Sequence, residues 1–139
     1  MKAALPFRIC AIVLLLFAAG HTVGFLRYKP PSPEGVAVKA AMDGVRFPFG
    51  STTRTYSDLY RGFGYFVSAY LLFAALVAWQ LPTLLATSRE SFRALALALL
   101  AAQTATVALS LIFFATPRAV FSLAVVACVV WGLVAARSS

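Results

Sequence analysis

The run GFGYFVSAYLLFAALVAWQLPTLLATS, residues 62–88, holds 27 consecutive positions without a charged side chain. A helix rising about 1.5 Å per residue needs about 20 apolar residues to cross roughly 30 Å of hydrocarbon, so this stretch is long enough to span a bilayer. Three further uncharged runs follow the same rule: residues 9–26, 94–117 and 119–136, of 18, 24 and 18 residues. Strands are disfavoured, because a membrane barrel alternates polar and apolar positions, whereas Ala94 to Ala102 and Ala124 to Val130 are apolar on every side. The pattern therefore predicts an all-α fold, a polytopic membrane four-helix bundle in a single domain over residues 1–139. Its spans fall at about residues 7–27, 57–83, 93–116 and 118–136.

Composition agrees. Of the 139 residues 62% are hydrophobic and 12% charged, and the mean hydropathy is +0.89. A soluble domain of this size cannot hide so much apolar surface. The net charge of +8 comes from twelve basic residues placed singly at helix ends and in one loop. With no basic cluster or aromatic platform, membrane anchoring accounts for them and nucleic acid is excluded as a partner. Cys10 and Cys128 lack a CxxC spacing and read as small apolar residues within spans.

Lys2 and Arg8, ahead of an apolar run ending in Ala18-Ala19-Gly20, imitate a secretory signal peptide whose removal would leave three spans. The run continues through Val23, Gly24, Phe25 and Leu26 to an interfacial Arg27-Tyr28-Lys29, which favours a retained first span. Pro30-Pro31-Ser32-Pro33-Glu34 then ends that helix. Ser32 as N-cap, Pro33 at the first helical position and Glu34 in the first turn predict a short amphipathic helix in the first loop, about residues 33–43, closed by Gly44. Its apolar side is Val36, Ala37, Ala40, Ala41 and Met42, opposite Lys39 and Asp43. Residues 46–50 read as an aromatic turn, Ser51 to Thr53 as N-cap candidates for the second span, and Pro82 as a kink or terminus before a connection over residues 83–88. Thr116-Pro117-Arg118 leaves a hairpin tight enough to make the last two spans antiparallel neighbours.

With the N-terminus inside, Lys2, Arg8, Arg89, Arg93 and Arg137 share its side, against seven basic residues opposite, four of them in the folded first loop. Short loops govern topology, and there Arg89 and Arg93 outweigh Arg118, so N-in and C-in is the expected orientation.

One polar constellation stands out. His21, the only histidine, lies six positions before Arg27, about 9 Å inside the charged boundary. It reads either as a neutral imidazole satisfied by a backbone carbonyl or hydroxyl, or as a ligand-binding or proton-handling group. Arg54, Asp58, Arg61, Tyr65 and Ser68 recur at spacings of four, three, four and three, which places them on one helix face. That stripe reads as an ion network pinning the helix end, or as a set converging with His21 over an apolar cavity, with Gly62 and Gly64 allowing close approach. Gln103, Thr106 and Ser110 form a second stripe suited to interhelical hydrogen bonds or to the same pocket. The candidate ligand-binding residues are thus His21, Arg54, Asp58, Arg61, Tyr65 and Gln103, with His21 held by Asp58 if the site is catalytic. The other end of the bundle reads as plain.

One histidine and two separated cysteines do not make a zinc site, so no metal is expected. P-loop, dinucleotide-binding glycine pattern and nucleophile elbow are absent, and no cofactor is indicated.

Gly20-His21-Thr22, Met42, and Gly50-x-x-x-Arg54-x-x-x-Asp58-x-x-Arg61-Gly-Phe-Gly64 resemble a group of small four-span bacterial inner-membrane proteins over roughly the first 80 residues. In outline, though not in motif, the chain is also similar to the DoxX-like proteins. The resemblance implies architecture and a bacterial inner membrane, and it carries over no catalytic residues. The expected function is binding of a lipid-like, quinone-like or other apolar small molecule in an intrabundle pocket. The alternative is a non-catalytic structural or accessory membrane subunit. Partners consistent with the sequence are the bilayer, such a small molecule, a second copy of the chain or another membrane protein.

Overall fold

The computed structural model describes residues 3–114 and 116–137, the side chains of residues 116 and 117 excepted. In chain order the elements are α1 (Ala4–Arg27), α2 (Pro33–Gly44), β1 (Arg46–Phe49), β2 (Thr52–Thr55), α3 (Tyr56–Thr87), α4 (Arg89–Phe113) and α5 (Thr116–Arg137). The fold is all-α; among the described residues there are four long helices, one short one and a small hairpin.

Each long helix is long and apolar enough to cross a membrane, and within the most apolar window of each only 22–33% of residues are buried inside the chain. The remaining faces carry Leu16, Phe66, Phe73, Ile112 and Phe113, each more than 60% exposed. Surface of this kind is stable only against hydrocarbon. The chain is a multi-pass integral membrane protein.

Several boundaries differ from those expected. Pro82 does not end α3, which runs on to Thr87 and leaves Ser88 alone as the connection. Proline removes one backbone donor, and packed helices in a membrane tolerate that loss. Ser88 then caps α4, its hydroxyl accepting from the Ser91 amide at 3.3 Å. At 32 residues α3 measures about 48 Å, longer than the hydrocarbon is thick. Thr116 and Pro117 belong to the first turn of α5 rather than to the end of α4. Lys2, used in the orientation argument, lies outside the described residues, as does Ala115 in the last hairpin.

The chain divides into two units. Unit 1, Met1–Phe17 with Leu71–Ser139, contains parts of all four long helices. The buried positions of α4 are Phe92, Ala96, Leu99, Gln103 and Ser110, and those of α5 include Ser122, Val125, Val129 and Ala136. Both follow the alternating three-and-four spacing of a packing seam, with small residues that let the backbones approach. On α1 the seam is Phe7, Cys10, Leu14 and Phe17. Phe7 meets the Phe92 ring edge-on with centroids 5.6 Å apart, and it also fills the space over Gly132, where a Cβ would overlap its ring. Phe17 stacks on Phe121 at 5.2 Å. Arg8 lays its guanidinium 3.9 Å from the Trp79 ring centroid, which gives a cation a favourable place at the end of an apolar helix. Cys10 and Cys128 are free thiols.

Unit 2, Ala18–Tyr70, comprises the last turns of α1, then α2, the hairpin and the first turns of α3. The Ser32 hydroxyl caps α2 by accepting from the Gly35 amide at 3.2 Å. Gly44 closes the last turn without a left-handed backbone, and the Val45 amide completes it by donating to the Ala41 carbonyl. The residues expected as an aromatic turn form instead an antiparallel pair, Phe49 opposite Thr52. Between them Gly50 has φ +59 while Ser51 is not left-handed, the conformation in which glycine opens a tight two-residue turn that follows the twist of the strands.

Candidate functional site

The polar groups of unit 2 separate into three local arrangements, each set by chain geometry.

The first joins α1 to α3 within unit 2. His21 Nε2 lies 3.2 Å from the Gly64 carbonyl oxygen. A carbonyl only accepts, so the ring donates from Nε2. One residue on, the Thr22 hydroxyl donates to Ala18 O at 2.8 Å and stands 2.8 Å from Ser68 Oγ. Ser68 Oγ also lies 3.3 Å from the Gly64 carbonyl oxygen, so its one proton serves either that carbonyl or Thr22 Oγ1. Phe25, one turn after His21, stacks on the imidazole at 5.9 Å and packs against Tyr60 at 5.3 Å and Tyr65 at 6.0 Å. Gly64 makes this possible, since any Cβ there would overlap the Phe25 ring.

The second arrangement starts α3. The Asp58 amide donates to Thr55 Oγ1 at 3.1 Å, and the Thr55 amide donates to Asp58 Oδ2 at 2.9 Å. This is a reciprocal cap, and it replaces the N-cap expected at Ser51 to Thr53. It also displaces Arg54, which lies on β2 opposite Phe47 rather than on the helix. The charges of Arg54 and Arg61 both act on Asp58, but its carboxylate is engaged in the helix cap. The single helix face expected for all five residues does not form.

The third links α2 to α3. Lys39 Nζ is 2.9 Å from Asp43 Oδ2, Arg61 Nη2 is 3.8 Å from Asp43 Oδ1, and the Ser57 hydroxyl hydrogen-bonds the same carboxylate. The Ser57 bond, ahead of the Lys39 contact, holds the Asp43 carboxyl below its ordinary range. Glu34, at the other end of α2, is also lowered, by backbone and Ser32 hydrogen bonds at the helix start.

Between α2 and the adjoining turns of α1 and α3 lies a cleft of about 350 Å³. Its apolar wall includes Phe25, Leu26, Val38, Met42 and Tyr60, and its polar groups include Ser57, Lys39 and Arg61. The inward face of α2 is thus Gly35, Val38, Lys39 and Met42, at spacings of three, one and three. The expected apolar side, Val36 with Ala37, Ala40 and Ala41, points away and is exposed. The contacts of Asp43 with Arg61 and Ser57, which cross from α2 to α3, account for the rotation, because they draw the charged edge of α2 toward α3.

Of the six residues the sequence singles out, Arg61 lines this cleft. His21 is bonded to backbone and stacked on Phe25, Arg54 and Asp58 belong to the hairpin and cap, and Tyr65 is half exposed at the edge of Phe25. Gln103 is fully buried on the α4 seam in unit 1. Phe25, Val38, Lys39 and Ser57 are not among the candidate site residues of the sequence; the signals available were the four-residue spacings His21–Phe25 and Lys39–Asp43. Among the described residues no group of three or more His, Cys, Asp or Glu side chains is placed to hold a metal ion. Comparison with protein-family models, with curated proteins and with solved structures finds no match to this chain.

Proposed function

We propose that this is a protein of a bacterial inner membrane, with both termini inside, that holds a lipid-like or quinone-like small molecule in the cleft of unit 2. The observation that carries the reading is the composition of that cleft, an apolar and partly aromatic wall meeting two cations and a hydroxyl. Its volume falls in the range of small-molecule sites, roughly 300–1,000 Å³. An amphiphile would lie with its tail or ring along Phe25, Leu26 and Met42 and its acceptor-bearing head near Lys39, Ser57 and Arg61. Orientation is supported by Arg89 and Arg93 at the shortest connection, and the cellular placement by the resemblance of the first 80 residues.

Native mass spectrometry of the purified protein tests this. A co-purifying amphiphile should be retained by the wild type and lost from Val38→Trp, which fills the cleft from an exposed position of α2 without altering any polar contact. Retention in Val38→Trp, or a wild type that carries nothing when offered a lipid and quinone extract of its membrane, overturns the reading.

One observation favours the second reading, a structural or accessory subunit: His21, Thr22 and Ser68 are all engaged in tying α1 to α3. On that reading His21→Ala lowers thermal stability and the protein carries no ligand.

A further inference from the structure

A second cleft, of about 400 Å³, lies within unit 1 where α4 begins and α5 ends. It plays no part in the reading above and corrects the expectation that this end is plain. Three exposed guanidiniums, those of Arg89, Arg93 and Arg137, surround it, and its apolar wall includes Phe92, Leu97 and Leu133.

Three like charges around one cleft repel one another. Arg89 and Arg93 moreover sit in the first turns of α4, at the positive end of the helix dipole, which the Ser88 cap and Glu90 offset only in part. Glu90 is the acidic side chain of the same helix turn. Among the described residues the ion pairs are Lys39–Asp43 and Arg61–Asp43, and neither involves these arginines. The cleft carries three guanidiniums against one neighbouring carboxylate, an excess of positive charge.

The apolar wall says what kind of anion. Leu97 is one turn beyond Arg93 on α4, and Leu133 is one turn before Arg137 on α5. The two helices are antiparallel neighbours, so on both of them the path from guanidinium to leucine runs about 6 Å in the same direction. It runs from the charged ends of the helices into their apolar spans, and a free inorganic ion makes no use of such a path. A phosphodiester with an acyl chain attached matches it along its whole length, and the planar fork of arginine suits phosphate oxygens.

We propose that this cleft binds one anionic phospholipid, the phosphodiester against Arg89, Arg93 and Arg137 and the first acyl methylenes along Leu97 and Leu133.

The test titrates the purified full chain with dioleoyl phosphatidylglycerol or dioleoyl phosphatidylcholine, reading binding by native mass spectrometry and melting in vesicles of each lipid. The wild type should prefer the anionic lipid, and Arg89→Gln with Arg93→Gln should weaken its binding by about tenfold or more. Leu133→Trp should weaken it as well, with no charge altered, and millimolar inorganic phosphate should not displace it. The melting temperatures should cross over. In phosphatidylcholine the double variant melts at or above the wild type, because repulsion has been relieved, and in phosphatidylglycerol it melts below. A merely structural role for the arginines gives the same order in both lipids. If the double variant does not fold, Arg137→Gln at the other helix end provides the same comparison. Equal binding of the two lipids, unchanged binding in Leu133→Trp, displacement by phosphate, or one melting order throughout overturns the proposal.

Discussion

The guanidinium of Arg61 stands 3.8 Å from the Asp43 carboxylate, and this contact, with the Ser57 hydrogen bond, fastens the end of α2 to the first turns of α3. Asp43 is the shared acceptor, with Lys39 on its other oxygen at 2.9 Å. All these groups are solvent-accessible except Ser57, so the ion pairs themselves contribute little, and the hydroxyl bond does most to favour the ionised form.

A pH dependence follows. Asp43 has a lower pKa in the folded chain than its ordinary value. Its contribution to the fastening is therefore full above the ordinary carboxylate pKa and is lost as pH falls through the lower folded value. A carbon NMR titration of the Asp43 carboxyl in micelles should give a midpoint below that of an unfolded peptide. Ser57→Ala and Lys39→Ala should each raise it. A midpoint at the ordinary value, or one indifferent to Ser57, would contradict the arrangement.

Gly64 and Gly62 are two residues apart on one helix and should respond oppositely to alanine. At Gly64 a methyl group overlaps the Phe25 ring, which also supports His21, Tyr60 and Tyr65. Overpacking of this kind costs about 1–3 kcal/mol, so Gly64→Ala should melt earlier in detergent. At Gly62 nothing lies within 4 Å of the added carbon, and Gly62→Ala should be neutral or gain up to about 1 kcal/mol from helix propensity. Equal melting of the two variants would show that Phe25 is not packed as described.

The Thr22–Ser68 bond makes a coupled pair. Thr22→Val and Ser68→Ala should each lower stability, and the double variant should lose less than their sum, with a coupling of about 0.6 kcal/mol, the size found for hydrogen bonds between helices in membranes. Strict additivity would place the two hydroxyls out of contact. At His21, nitrogen NMR should find the proton on Nε2, as donation to Gly64 O requires.

Hydrophobic runs and backbone chemistry made most of the fold legible in advance. Uncharged stretches marked four spans, and Ser32-Pro33-Glu34 marked α2 to within a residue, because length in hydrocarbon and helix capping are read locally. The hairpin was hidden by Pro48, which interrupts a strand pattern, although Gly50-Ser51 between Arg46–Phe49 and Thr52–Thr55 is the turn signal. Asp58 and Arg54 misled for a physical reason. A capping partner three positions from its cap has the same spacing as two residues on one helix face, so Thr55–Asp58 was invisible beneath the apparent stripe. The sites were less legible than the fold, because both clefts depend on distant parts of the chain. Lys39 meets Arg61 only through Asp43, and Arg137 joins Arg89 only because α4 and α5 pair along their length.

The most direct test of ligand binding in unit 2 replaces Tyr28, an exposed aromatic residue in the wall of the cleft, with the photoreactive p-benzoylphenylalanine, and uses Tyr56, equally exposed but packed on Phe47 outside the wall, as the control. Irradiation in native membranes, followed by intact-mass measurement, should give one discrete amphiphile adduct at position 28 that disappears when Val38→Trp is added, and none of comparable yield at position 56. Equal, heterogeneous labelling at both positions, indifferent to Val38→Trp, would contradict a binding site in this cleft.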